Sequence, residues 1–460
     1  MSVRRAVPQD NPFLTAPIGR LFLSNTLPMA LVMSMGGLLN VVDGVFVGRF
    51  IGAEALAAVS LAFPVVMLIS ALTTLAGGGM SSLLARSLGA GDRVAAARVF
   101  AGAHGLVVGI AALLVGLWAL FGQALLMRMA AGNVPLAQTT GAYLSILIWA
   151  VPVQLLLGLH ADALRVEGRA GAMAALSVLV NLFNIGANWL GIVILGLGIA
   201  GSALGTVAAQ VLGLALALAL RARGPGLLPL GTLRQESWFA QWRPIVTLGL
   251  PLCLSFLGIA LVASMAMLAL RQHAAAYDTS IAAYGAVTRL LSLAFLPQLA
   301  IALALQAIAG QNVGAGQGVR AVAALRLSMT AALLWCGAVA LTGLFAGQVV
   351  SRWFTSDPHV TLAIVAILRP MLALYVFAGP ILVLAMYLQA LGQPGWTAAL
   401  TLVKPWVLMP LLILGLSARF GVAGIWLAFP MADAVVLLIA VTIGRAILRG
   451  ATAPGTEEAA

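Results

Sequence analysis

The chain has 460 residues, 62% of them hydrophobic and only 8% charged, with a formal net charge of +12. A water-soluble fold of this length needs far more charged surface, so that class is excluded. The basic balance does not mark a nucleic-acid binder either, because the arginines are scattered over short segments between apolar runs.

Apolar stretches of roughly 20 residues or more recur from end to end, each long enough to cross a bilayer. In chain order, twelve spans are predicted at 17–48, 55–82, 94–121, 135–162, 170–194, 198–220, 244–270, 280–309, 320–346, 361–390, 396–417 and 422–446. None carries the alternating pattern of a barrel strand, so helix is the form that satisfies their backbone in lipid. The fold class read from sequence is an all-α polytopic membrane protein. Its outer loops hold Arg49, Arg128, Arg271, Arg352 and Arg419, whereas most other arginines, among them Arg86, Arg93, Arg98, Arg221 and Arg223, fall in the opposite loops. That asymmetry places both termini in the cytoplasm. The opening residues "MSVRRAVPQDNPF" lack the apolar core and cleavage site of a leader, so none is expected to be removed. Cys253 and Cys336 each lie within a span and read as packing residues, with no metal-ligand spacing.

The second half repeats the first. Gly89-Ala90-Gly91 returns as Gly314-Ala315-Gly316, and Ala57-Ala58 returns as Ala282-Ala283, both 225 residues on. Pro28 returns as Pro251, and "GIAG" at 198–201 as "GVAG" at 421–424, both 223 residues on. The expected division is a six-helix lobe at 1–221, a cytoplasmic linker at 222–243, and a second six-helix lobe with a short tail at 244–460. An even number of spans makes the two lobes parallel repeats about an axis along the membrane normal, an arrangement found in secondary transporters. No phosphate-binding loop, HExxH or GxSxG element appears, so neither ATP hydrolysis nor another enzymatic activity is expected, and uphill movement would be driven by ion flow.

The residues also resemble a known family, the multidrug and toxic compound extrusion (MATE) transporters. The resemblance rests on "NVVDGVFVGRFIGAEALAAVSLAFP" (40–64), "LLARSLGAGD" (83–92), "NIGANWLGIVILGLGIAGSALGTVAAQ" (184–210), "LGLP" (248–251), "IAGQNVGAGQ" (308–317) and "YLQALGQPGW" (387–396). It implies two six-helix bundles facing a central cleft. It also implies an antiporter that exports lipophilic or cationic organic compounds in exchange for H⁺ or Na⁺. In the proton-coupled bacterial and archaeal branch, coupling falls on a first-helix aspartate, which Asp43 matches, with polar partners on the fifth and sixth helices. Asn184 matches the first position of that branch's N-x-x-x-D pattern, while Asn188 stands where the Asp would be. The sodium-coupled branch carries acids in the seventh and tenth spans, and here those spans contain none.

Asp43 lies in an apolar run, where a carboxylate costs about 2.5–3.5 kcal/mol on insertion scales. Asn40 shares its helical face, while Asn181, Asn184 and Asn188 line one face of the fifth span and Ser202, Thr206 and Gln210 one face of the sixth. Asp43, Asn40, Asn184, Asn188 and Thr206 form the candidate coupling site; Met33, Asn181, Ser202 and Gln210 form the candidate substrate cavity. The alternative for Asp43 is a helix cap or a pair with Arg49, and for the amides and hydroxyls it is interhelical glue. Asp433 is the secondary candidate, either a second-lobe relay or a buried ion pair with Lys404. Asp162 reads as a local ion pair with Arg165, and His104 and His160 as isolated structural histidines. Pro28 kinks the first span, either as a static bend or in response to protonation of Asp43.

The resulting expectation is a monomer in the cytoplasmic (inner) membrane of a bacterium or archaeon. Its partners are the lipid bilayer and small amphiphilic or cationic molecules. No cofactor or metal is expected, and H⁺ is the coupling ion, with Na⁺ as the alternative. Competing expectations are a flippase for lipid-linked precursors, which would need Arg289, Arg369 and Lys404 to face inward, and a membrane scaffold or receptor without transport.

Overall fold

Where the sequence offers long apolar runs, the chain forms long helices. The computed structural model describes the backbone of residues 11–224, 228–274, 277–351 and 357–452, with side chains except at 40–45, 48, 53, 350 and 447–452. Among the described residues there is no strand. Ten helices are long and apolar enough to cross a membrane, and two sharply bent helix pairs bring the total to twelve if each counts as one span.

The first three spans are Ile18–Phe50, Ala53–Gly89 and Arg93–Met129. The third starts where Asp92 caps it, its carboxylate accepting from the Ala95 N–H at 2.9 Å. The fourth is a bent pair, Val134–Trp149 and Val151–Val166, turning by 50°. Pro152 explains the break, because it has no N–H for the carbonyl one turn back. The tenth span breaks in the same way, at 53° between Pro358–Leu372 and Tyr375–Ala390, with Pro370 and Pro380 flanking the turn. Sequence hydropathy alone reads both as straight spans, since a proline bend leaves composition unchanged.

The fifth span, Ala170–Trp189, runs on through a π-helical turn, Leu190–Ile194, and the sixth is Gly198–Arg223. The eleventh span is interrupted by another π segment, Val403–Leu408, between Pro394–Leu402 and Met409–Phe420. Pro405 lies in that segment, where its missing donor would break an α-helical ladder. The remaining spans are Trp242–His273, Tyr277–Gly314, Gly318–Phe345 and Val422–Thr452.

The repeat is visible in backbone conformation. Gly91 and Gly316 both turn through the left-handed region, with φ of 70° and 74°; Gly168 and Gly392 do so at 81° and 78°, and Gly198 and Gly421 at 56° and 59°. Each pair stands at the repeat distance read from the sequence, and at a position where an L side chain would be strained. A polar contact recurs as well. In the first half Arg165 donates to the Ser81 hydroxyl at 2.9 Å, joining the fourth span to the second. In the second half, Gln306 donates to Gln389 at 2.7 Å, joining the eighth span to the tenth.

By contact the chain forms two units, one of residues 27–253 and one of 254–460 together with the segment up to Thr26. The divisions fall inside the first and seventh spans, one residue before Pro28 and two after Pro251. In the second of these units the segment ahead of the first span is firmly docked. Asn11 donates to Gln311 at 2.7 Å, and Arg320 donates to the carbonyls of Ala16 at 2.7 Å and Phe13 at 3.3 Å. Phe13 and Leu14 are buried beneath these bonds. Arg320→Ala is therefore expected to free residues 11–16, seen as faster chymotrypsin cleavage at Phe13 or Leu14 with the rest of the chain unchanged.

Within the unit of residues 27–253 the corresponding docking uses glycines. Gly102 and Gly105 on the third span have no room for a methyl group against the carbonyls of Ala240 and Trp238, and Gly79 has none against that of Ile245. The absence of a side chain at these positions lets the backbone of residues 238–245 approach closely.

Candidate functional site

The fifth and sixth spans pack closely because small residues line their crossing. A Cβ on Gly201 would strike the backbone of Gly191, and one on Gly205 would strike the side-chain oxygen of Asn188. This approach brings the polar faces together. Asn188 donates to the Asn184 side-chain oxygen at 3.3 Å, Asn184 donates to the Thr206 hydroxyl at 3.2 Å, and that hydroxyl donates to the Ser202 carbonyl at 3.1 Å. Asn188, Asn184 and Ser202 are buried, and Thr206 is half-buried. The result is a directed chain of hydrogen bonds across two helices. Gly205→Val is expected to separate them, lowering thermal stability in detergent by several degrees and reducing transport; unchanged stability would show that the crossing opens freely.

Of the other sequence-selected residues, Asn181, Gln210 and Met33 are half-buried and stand outside that chain of hydrogen bonds. Met29 and Met80 are fully buried packing residues, whereas Met35 and Met67 are half-buried. The side chains of Asn40 and Asp43 lie outside the described residues. Their helix runs unbroken from Ile18 to Phe50, and Val47, one turn beyond position 43, shares an apolar cluster with Ile199 at the start of the sixth span.

In the unit of residues 254–460, Lys404 forms a salt bridge with Asp433. Of the two alternatives for Asp433, the ion pair is present. The Lys404 side chain is 33% exposed and that of Asp433 only 12%. Tyr375, close enough to feel the Asp433 charge, donates to the Gln298 side-chain oxygen at 3.4 Å, and the Cys336 thiol donates to the same oxygen at 3.5 Å. Arg289 and Arg369 are exposed.

A further polar cluster lies in the unit of residues 27–253. Arg165, fully buried, pairs with Asp162 at 2.9 Å, as sequence proximity suggests. Arg221 and Glu167 form a two-pronged pair, 2.9 Å on each arm, with side chains 0% and 2% exposed. Beside it, His104 and His160 are not isolated, because their Nε2 atoms face each other at 3.4 Å. The His104 Nδ1 lies 2.8 Å from the Phe100 carbonyl, which can only accept, so Nδ1 carries the proton and Nε2 accepts from His160. Phe100 packs edge-on against both rings, and its own ring carries the Arg221 guanidinium 4.7 Å from its centroid. His104 and His160, and Arg221 and Glu167, are more than 50 residues apart in the chain, so no local spacing in the sequence marks these two pairs.

A polytopic all-α chain built from two structural repeats, with buried polar sites inside its units, has the build of a secondary transporter. The MatE family model matches it twice, over residues 28–190 and 251–414. The chain belongs to that family, and each match begins at one of the repeat-related prolines. It is similar to a FAD transporter of Shewanella oneidensis, 30% identical over 91% of this chain and 93% of that one. It is also similar to a probable multidrug resistance protein of Bacillus subtilis, YoeA, 26% identical over 91% of both chains. Among solved structures it resembles the outward-facing conformation of a multidrug resistance MATE family transporter of the MOP superfamily, with a TM-score of 0.87, 22% identity, and coverage of 98% of this chain and 100% of that one. That likeness carries the fold.

Proposed function

We propose that this protein is a multidrug-type exporter of amphiphilic organic compounds, driven by protons entering in exchange and working by alternating access. In this reading Asp43 is the titrating group, and Asn40, Asn184, Asn188 and Thr206 supply hydrogen bonds that tune it. Met33, Asn181, Ser202 and Gln210 belong to the substrate cavity. The protein acts as a monomer in the cytoplasmic membrane of a bacterium or archaeon, with both termini in the cytoplasm.

The observation that carries this reading is the buried Asn188–Asn184–Thr206 chain. Val47 and Ile199 meet in one cluster, and the first and sixth spans run in opposite directions. One turn back along the first span is position 43, and one turn on along the sixth is Ser202. Both steps lead the same way, so Asp43 shares a depth with the start of the hydrogen-bonded row. A carboxylate supplied with such hydrogen-bonding partners could bind and release a proton without a second charge. The second half lacks that setting, since Lys404 already neutralises Asp433.

The test is ethidium transport by proteoliposomes under an imposed pH gradient in sodium-free buffer. Uphill transport is expected, with proton release on addition of substrate to the purified protein. A strict sodium requirement would move the coupling elsewhere. The two relatives' names cover different cargo, FAD in one and drugs in the other. The substrate's charge is therefore the open part of this reading.

A further inference from the structure

A charge pair within a span is not a general aid to stability. Taking two ions out of water costs several kcal/mol per ion, and well-packed apolar residues often do better in the same place. The fold itself does not need charge at these two positions. At the 223-residue repeat distance, Lys404 corresponds to Asn181 and Asp433 to Gln210, so the first half carries neutral amides at both positions. The charge in the second half is an addition to a frame that works without it.

The pair is also asymmetric. Asp433 is largely buried, whereas a third of the Lys404 side chain is exposed. An ammonium has three donors, and among the described residues Asp433 is the one protein group that Lys404 engages. Its backbone lies in the π-helical segment Val403–Leu408, a distortion that frequently marks functional sites. That segment is braced from the seventh span. Trp406 donates to the Leu254 carbonyl at 3.0 Å, and Gly258 leaves no room for a methyl group against Pro405. Lys404 is thus presented from a fixed backbone, with donors left over.

We propose that Lys404 is the subsite for an acidic group of the substrate, a phosphate or carboxylate on an aromatic amphiphile, and that Asp433 occupies Lys404 when no such substrate is bound. Exchanging one anion for another keeps the ammonium neutralised throughout. Lys404 then determines which charge the exporter accepts. This rests on the export reading above but assigns a different residue and a different property.

The probes are flavin mononucleotide and riboflavin, which share a ring system and differ by one phosphate. Their binding to the purified full chain in lipid nanodiscs is followed by flavin fluorescence. The wild type is expected to bind the mononucleotide about tenfold more tightly than riboflavin. Lys404→Gln should bring the two affinities together by weakening only the mononucleotide. Asp433→Asn, which removes the competing anion, should strengthen mononucleotide binding several-fold and leave riboflavin unchanged. Equal affinities in the wild type would overturn the proposal. So would an unchanged mononucleotide affinity in Asp433→Asn, whether or not Lys404→Gln folds. Ethidium transport by the same protein in proteoliposomes separates the two ideas: its absence in the wild type removes the export reading, whereas equal flavin affinities remove the Lys404 subsite.

Discussion

Asp43→Asn is expected to reduce uphill ethidium transport to the level of protein-free vesicles, while expression and thermal stability stay close to wild type. Asparagine keeps the size and hydrogen-bonding reach of the carboxylate but has no proton to exchange at any physiological pH. It also removes the cost of a charge in an apolar span, about 2.5–3.5 kcal/mol on insertion scales, so folding should not suffer. Binding of ethidium measured without a gradient should survive, which separates loss of coupling from loss of substrate. Downhill movement should persist at a reduced rate. A variant that still concentrates ethidium against its gradient would show that Asp43 is not the coupling group.

A milder change tests the row beside it. Asn184 both donates to Thr206 and accepts from Asn188, so Asn184→Ala breaks two bonds. Each lost hydrogen bond costs about 0.5–1.5 kcal/mol. The expected result is lower thermal stability together with a shifted pH profile of transport. A stability loss with an unchanged profile would assign the row to helix packing alone.

How much of this was legible beforehand depends on the length scale of the interaction. The spans were visible because membrane crossing needs contiguous apolar length, a property of the sequence itself. The repeat was visible because both halves keep glycines at matching turns, as at Gly91 and Gly316 or Gly198 and Gly421, all of which turn through the left-handed region. The Lys404–Asp433 pair was within reach, since two isolated charges on apolar runs have few other ways to be satisfied. The bends at Ala150 and near Ala373 were signalled by prolines, but proline alone does not say whether a helix curves or breaks. What stayed hidden depends on tertiary approach. Nothing near His104 in sequence points to His160, 56 residues away, and Arg221 reads as one more basic residue at a span end until Glu167 is seen against it.

That last pair leads to the largest expected effect on stability. The Arg221 and Glu167 side chains are 0% and 2% exposed, and two short hydrogen bonds hold them together. Glu167 also accepts from the Leu228 N–H at 2.9 Å, and Arg221 donates to the Leu228 carbonyl at 3.1 Å, so the pair fixes the segment just beyond the sixth span. Arg221→Ala would leave a buried carboxylate with no cation and would also remove the guanidinium from the Phe100 ring. Breaking one side of a buried pair typically costs about 3–5 kcal/mol, against a net stability of only about 5–15 kcal/mol for many soluble domains. A marked fall in thermal stability is expected, with new proteolytic cleavage between Arg223 and Trp238. Replacing both partners by apolar residues, Arg221→Met with Glu167→Leu, should recover much of the stability, because no charge is then stranded. It should not restore protection of the linker, since Leu228 has lost both of its partners. If the single variant melts like the wild type, the pair is solvated in the native protein and the burial that motivates this prediction is wrong.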